Sequence, residues 1–127
     1  MKIEKIVDGI VLFDNGTRMF SEHESECCEH HWAEFSQLNL YNLNPKTGDV
    51  ISITDLDFPE RIEDNIQLIE GEGFNLVASD GSKYFVPCYG ENNGYYSTNL
   101  ELVIDKKVPL KVKIMIDLRD YQKIEWC

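Results

Sequence analysis

Residues 110–118 alternate without a break: Leu110, Val112, Ile114, Ile116 and Leu118 stand against Lys111, Lys113, Met115 and Asp117. A period of two sends the two sets to opposite faces of an extended strand. This run therefore predicts a long strand with one apolar and one polar face. Three turn signals extend the same reading across the chain: Asp14-Asn15-Gly16, Asp80-Gly81 and Asn92-Asn93-Gly94. Asn-Gly and Asp-Gly supply the positive φ angles that tight hairpins require. Short apolar segments flank these signals, at residues 3–7, 10–13, 17–20, 50–54, 66–69, 74–78, 83–89 and 100–104. Pro87 falls inside one of them and lacks a ladder donor, so it belongs at an edge, a strand end or a bulge.

One stretch competes with this pattern. Ser21 followed by Glu24 fits a capping box, which predicts a helix from about Glu24 to Gln37. On that helix Cys28, Trp32, Phe35 and Leu38 share an apolar face. His23, Cys27, His30 and Glu34 fall on a second, polar face. Read as a strand instead, Cys28, His30 and Trp32 share one face and Cys27, His31 and Phe35 the other. The helix keeps the ligating groups together, and the fold class read from the sequence is α+β. The architecture is a single domain over residues 1–127, with a largely antiparallel, curled sheet built from hairpins and one main helix after the first hairpin. No glycine-rich phosphate loop or strand–helix rhythm points to a nucleotide-binding α/β fold.

The chain's 127 residues fit one domain that can bury a core without metals or disulfides. No apolar run approaches the length needed to cross a bilayer. Residues 1–9 carry acids where a signal peptide has its apolar segment, which predicts a cytoplasmic protein. Its four cysteines are then expected as reduced thiols. Net charge is -11, unevenly spread: residues 1–105 hold 6 basic and 20 acidic side chains, residues 106–127 hold 6 and 3. An acidic body argues against contacts to a phosphate backbone and against anionic membranes. It admits a basic protein partner, divalent cations or nucleic-acid mimicry.

Chemistry concentrates at Ser21–Phe35, S-E-H-E-S-E-C-C-E-H-H-W-A-E-F, which holds all three histidines and two of the four cysteines. Thiolate and imidazole together suit zinc. Residues four apart on a helix can grip one ion, as His23 with Cys27 or Cys27 with His31; Cys27 with His30 is a closer-spaced option. A further ligand has to come from elsewhere, and Cys88, Cys127 and Glu34 are the choices. The candidate metal set is His23, Cys27, Cys28, His30 and Cys88, with zinc as the cofactor. The spacing matches no standard zinc finger. In the plainer reading Cys28 packs in the core, Cys27 is inert and the histidines lie on a solvated face. Nucleophilic thiol chemistry at Cys27 or Cys28 is disfavoured by the surrounding glutamates, which oppose thiolate formation. Tyr89, Tyr95 and Tyr96 flank a polar turn and read either as a recognition surface or as strand residues packed along an edge.

H-E-S-E-C-C-E-H-H-W-A-E-F after a hairpin, with F-V-P-C-Y-G-E-N-N-G-Y-Y-S further on, resembles a family of small uncharacterised proteins of bacteria and their phages or mobile elements. The resemblance covers most of the chain, and these two blocks are its specific parts. It implies a small stand-alone cytoplasmic domain and brings no activity with it. It sets His23, Cys27, Cys28, His30 and Cys88 inside the blocks, with His31 less clearly part of the pattern. Two functions follow from the sequence. The first is a small non-enzymatic protein with a Cys/His zinc site. The second is an acidic interaction or counter-defence accessory factor of a phage or mobile element, in which the cluster is structural.

Overall fold

The computed structural model describes residues 1–22, 30–91, 99–106 and 110–117. Its strands in chain order are β1 (Ile3–Val7), β2 (Ile10–Phe13), β3 (Arg18–Glu22), β4 (His30–Ala33), β5 (Ile66–Ile69), β6 (Gly73–Val77), β7 (Lys83–Glu91), β8 (Asn99–Lys106) and β9 (Leu110–Asp117). They form two antiparallel sheets. One has the order β1-β2-β3-β8-β9 and the other β4-β7-β6-β5. The second sheet is thus encoded entirely between β3 and β8 of the first.

The turn chemistry works as the sequence implies. Phe13 N donates to Thr17 O at 2.9 Å and Gly16 N to Phe13 O at 3.1 Å, closing a three-residue loop with Gly16 at φ 90°. The Asp80-Gly81 hairpin repeats this pattern, with Ala78 N to Ser82 O at 2.8 Å, Gly81 N to Ala78 O at 2.9 Å and Gly81 at φ 87°. The glycine in each provides the left-handed residue that joins a type I turn to a twisted hairpin. The Asn92–Gly94 signal lies outside the described residues.

The predicted helix is the main correction. Among the described residues there is no α-helix, only 3-10 segments at Phe35–Leu40, Ile53–Asp55 and Ile62–Asn65. The fold is mostly antiparallel β, not α+β. Residues 24–29 of the expected helix lie outside the described residues, but its second half is strand β4 followed by a 3-10 turn. The capping-box serine explains the error. Ser21 sits within β3, paired with Leu102. Its Oγ accepts a hydrogen bond at 3.0 Å from Ala33 N, on the neighbouring sheet, where a capping box would have it cap Glu24. β4 then pairs with β7 through His30↔Glu91, His31↔Gly90, Trp32↔Tyr89 and Ala33↔Cys88.

The strand expected at 50–54 is also absent. Leu43 and Val50 form only an isolated bridge. Asn44 Oδ1 accepts from Lys46 N at 2.8 Å and Thr47 N at 3.1 Å, bending the chain back. Ser52 N donates to Asp55 Oδ2 at 3.2 Å as the next 3-10 turn begins. Such local side-chain bonds compete with sheet pairing and win where no neighbouring strand is available.

One core draws on both sheets. Val11, Met19, Leu102 and Ile104 come from the first; Leu76, Tyr84, Val86 and Cys88 come from the second; Phe35, Leu38, Phe58 and Ile62 fill in from the connections. Phe35 meets Phe74 edge to face with ring centroids 6.1 Å apart, and Phe13 meets Phe58 at 6.2 Å. No helix among the described residues is long and apolar enough to cross a membrane.

Candidate functional site

Pro87 lies on β7, an interior strand, at the point where its ladder with β4 stops. Its carbonyl accepts from Glu34 N at 2.9 Å. In an antiparallel ladder the missing Pro87 N–H would lie on this same side. No return bond to Glu34 forms, β4 ends at Ala33, and Glu34 turns out of the sheet at φ -89°, ψ 76° to start the Phe35–Leu40 segment. Pro87 thus sits in the middle of an interior strand, not at the edge or strand end expected of it; its missing donor is tolerated because β4 ends opposite it, and this fixes where Glu34 emerges.

Glu34 emerges at the wall of a groove of about 370 Å³. The first wall is the β1–β2 hairpin end, Ile6 to Ile10, with Phe20 and Ser21 of β3. The second is Trp32 to Ser36. The hairpin closes through a two-residue turn, Asp8 at φ 53° and Gly9 at φ 75°, between the paired Val7 and Ile10. Trp32 is half-buried and tilted against Tyr89, with ring centroids 5.4 Å apart. Its Nε1 donates to Glu34 Oε2 at 2.9 Å, and Ser36 Oγ donates to Glu34 Oε1. The carboxylate is thus held by two donors beside aromatic and aliphatic side chains. Two carboxylates, Asp8 and Glu34, line the groove, and among the described residues no lysine, arginine or histidine does.

The sequence-predicted ligands fare differently. His23, Cys27 and Cys28 lie outside the described residues. His30 and His31 hold register positions on β4 opposite Glu91 and Gly90. Cys88 is fully buried, paired with Ala33, and burial pushes its thiol up to about 12. A thiol there packs as a small hydrophobe. Among the described residues no group of three or more histidine, cysteine or acidic side chains is placed to hold a metal ion.

The strand pairings place the described ends of the two dense sequence blocks side by side. His30 pairs with Glu91 on the second sheet, and Glu22 pairs with Glu101 on the first. The connections 23–29 and 92–98 therefore run between the same two pairs of strands.

Sequence reasoning missed the groove. Asp8-Gly9 is itself an Asp-Gly hairpin signal, which could have been read between residues 7 and 10. Trp32 was expected on the core stripe of a helix with Phe35 and Leu38. Only the latter two are core residues, at 1% and 0% exposure. Tyr89 packs on its neighbouring strand, the plainer of its two readings, while Tyr95 and Tyr96 lie outside the described residues.

Comparison with family models, curated proteins and solved structures returned no match.

Proposed function

We propose that this chain is a protein-interaction module, and that its groove receives a cationic, partly apolar segment of a basic partner protein. The observation that carries the reading is the groove's lining: two carboxylates, no cationic side chain among the described residues, and walls of Val7, Ile10, Phe20 and Trp32. Apolar walls supply area to bury, and an unmatched negative potential selects the sign of what enters. The acidic balance of residues 1–105 adds long-range attraction for the same partner. Titration of short basic-apolar peptides into isotopically labelled protein tests the proposal. Amide shifts should cluster at Val7, Gly9, Ile10, Phe20 and Ser36, with an indole shift at Trp32, and all should weaken as salt screens the charges. Shifts confined to other surfaces, or none with any peptide, would overturn it.

A zinc site on the His/Cys block remains a second reading, favoured by the pairing of His30, from one dense block, with Glu91, from the other. His23, Cys27, Cys28 and His30 are its ligands. Cys88 joins them only if its thiol ionises inside the core, against its raised pKa. Protein purified without a nickel column should then contain about one zinc per chain, released on acidification as histidine and thiol groups protonate. Absence of stoichiometric metal, with thermal stability unchanged by a chelator, would exclude this reading.

A further inference from the structure

Resting on the groove reading above, we propose that the group seated in the groove is an arginine side chain, gripped by the two oxygens of Glu34. Four features of the site lead there. The Glu34 carboxylate is oriented before anything binds, since Trp32 Nε1 and Ser36 Oγ each donate to a different oxygen. A carboxylate oxygen has two acceptor directions, so each keeps one in reserve. Two parallel acceptors match the planar fork of a guanidinium, whereas an ammonium makes a point contact.

The second feature is the wall. A guanidinium is weakly hydrated and stacks on aromatic faces, so Phe20 and Trp32 suit it better than they suit a strongly hydrated lysine head. The third is a working example inside the same molecule. Arg18 places its guanidinium 5.6 Å from the centroid of Phe20 and its Nη2 2.5 Å from Asp105 Oδ2. Aromatic face plus carboxylate is thus already an arginine site here, and Phe20 is common to it and to the groove. The fourth is charge. Among the described residues no cationic group pairs with Glu34, and Asp8 on the facing hairpin adds a second negative charge to the groove. A volume of about 370 Å³ lies at the small end for binding sites, which suits one long side chain with its flanking residues.

The test uses the full chain and three peptides: acetyl-Leu-Arg-Leu-amide and its lysine and citrulline counterparts. Citrulline keeps the shape of arginine and removes the charge. The arginine peptide should bind about tenfold tighter than either counterpart, the scale of a charge-assisted hydrogen-bonded pair. Glu34→Gln should bring the arginine peptide down towards the citrulline level, and an unchanged circular dichroism spectrum and melting temperature check that the variant is folded. Should the variant not fold, the three-peptide comparison on the unaltered protein still decides. Equal binding of arginine and citrulline would overturn this inference while leaving apolar docking in the groove intact. Equal binding of arginine and lysine would likewise overturn it, reducing Glu34 to a point charge. No shifts in the groove with any peptide would overturn the groove reading itself.

Discussion

Gly73→Ala is expected to destabilise the protein by ~3 kcal/mol, the upper range of overpacking in a rigid core. Gly73 opens β6 opposite Pro87 with φ 149°, a conformation that side chains rarely adopt. A methyl group there would stand 2.2 Å from Val86 O and 3.0 Å from Cys88 N and Pro87 Cα. All three neighbours belong to the backbone of β7, so relief requires moving a strand. That strand also supports Trp32 and sets the exit of Glu34, so the damage should spread to the groove. Gly48→Ala is the natural control. Gly48 has φ 78° but nothing within 4 Å of an added Cβ. It should cost only about 1 kcal/mol, the conformational part alone. Urea midpoints of the two variants give the comparison, and equal losses would show that the close approach to β7 is not what makes Gly73 necessary.

Lys106→Met should cost about 2 kcal/mol near neutral pH, because it leaves a mostly buried carboxylate without its hydrogen-bonded cation, with only the exposed Arg61 3.9 Å away. Lys106, at the end of β8, donates to Glu63 Oε1 at 2.6 Å and so ties the first sheet to the Ile62–Asn65 turn before β5. The side chains are only 18% and 13% exposed, and Glu63 Oε2 is buried with no partner. Burial alone would push the Glu63 carboxyl up. The Lys106 hydrogen bond, a backbone N–H and the charges of Lys106 and Arg61 outweigh it and hold the group below the ordinary glutamate value. A depressed folded-state pKa gives a stability contribution that is complete above the unfolded value. It is lost as pH falls through the folded value. Wild type and variant should therefore differ most near neutrality and converge in acid. Adding Glu63→Gln to Lys106→Met should recover part of the loss, since the uncompensated charge goes with it. A pH-independent gap between the melting curves would mean that lost packing, not the ion pair, sets the cost.

Much of the fold was legible because its signals are local. Alternation at 110–118 and at 100–104, and glycines at Gly16 and Gly81, specify strands and turns within a few residues. The helix was misread because its strongest cue, Ser21, is equally useful in a sheet, and which use prevails depends on Ala33 lying alongside. Only tertiary structure settles that. Cys88 illustrates the same limit in the candidate site. Nothing in F-V-P-C-Y separates a ligand from a core thiol, and its buried place beside Ala33 is set by the β4–β7 register. The groove was invisible for another reason. Asp8, Phe20 and Glu34 belong to three different elements and become neighbours only when the two sheets meet. The charge totals admit a cationic partner but carry no position on the fold.

The nesting of one sheet inside the other bears on how quickly the chain can find its fold. Pairing β3 with β8 from a random coil would mean closing residues 23–98 into a single loop, at an entropic cost that rises with loop length. Assembly of residues 30–91 first changes that, because His30 then lies beside Glu91 and the long loop is reduced to two short links. The inner sheet acts as a template that brings β3 and β8 within reach of each other. Its formation is therefore expected to precede β3–β8 pairing, so destabilising changes in β4 or β7 should slow refolding as well as disturb the groove they support.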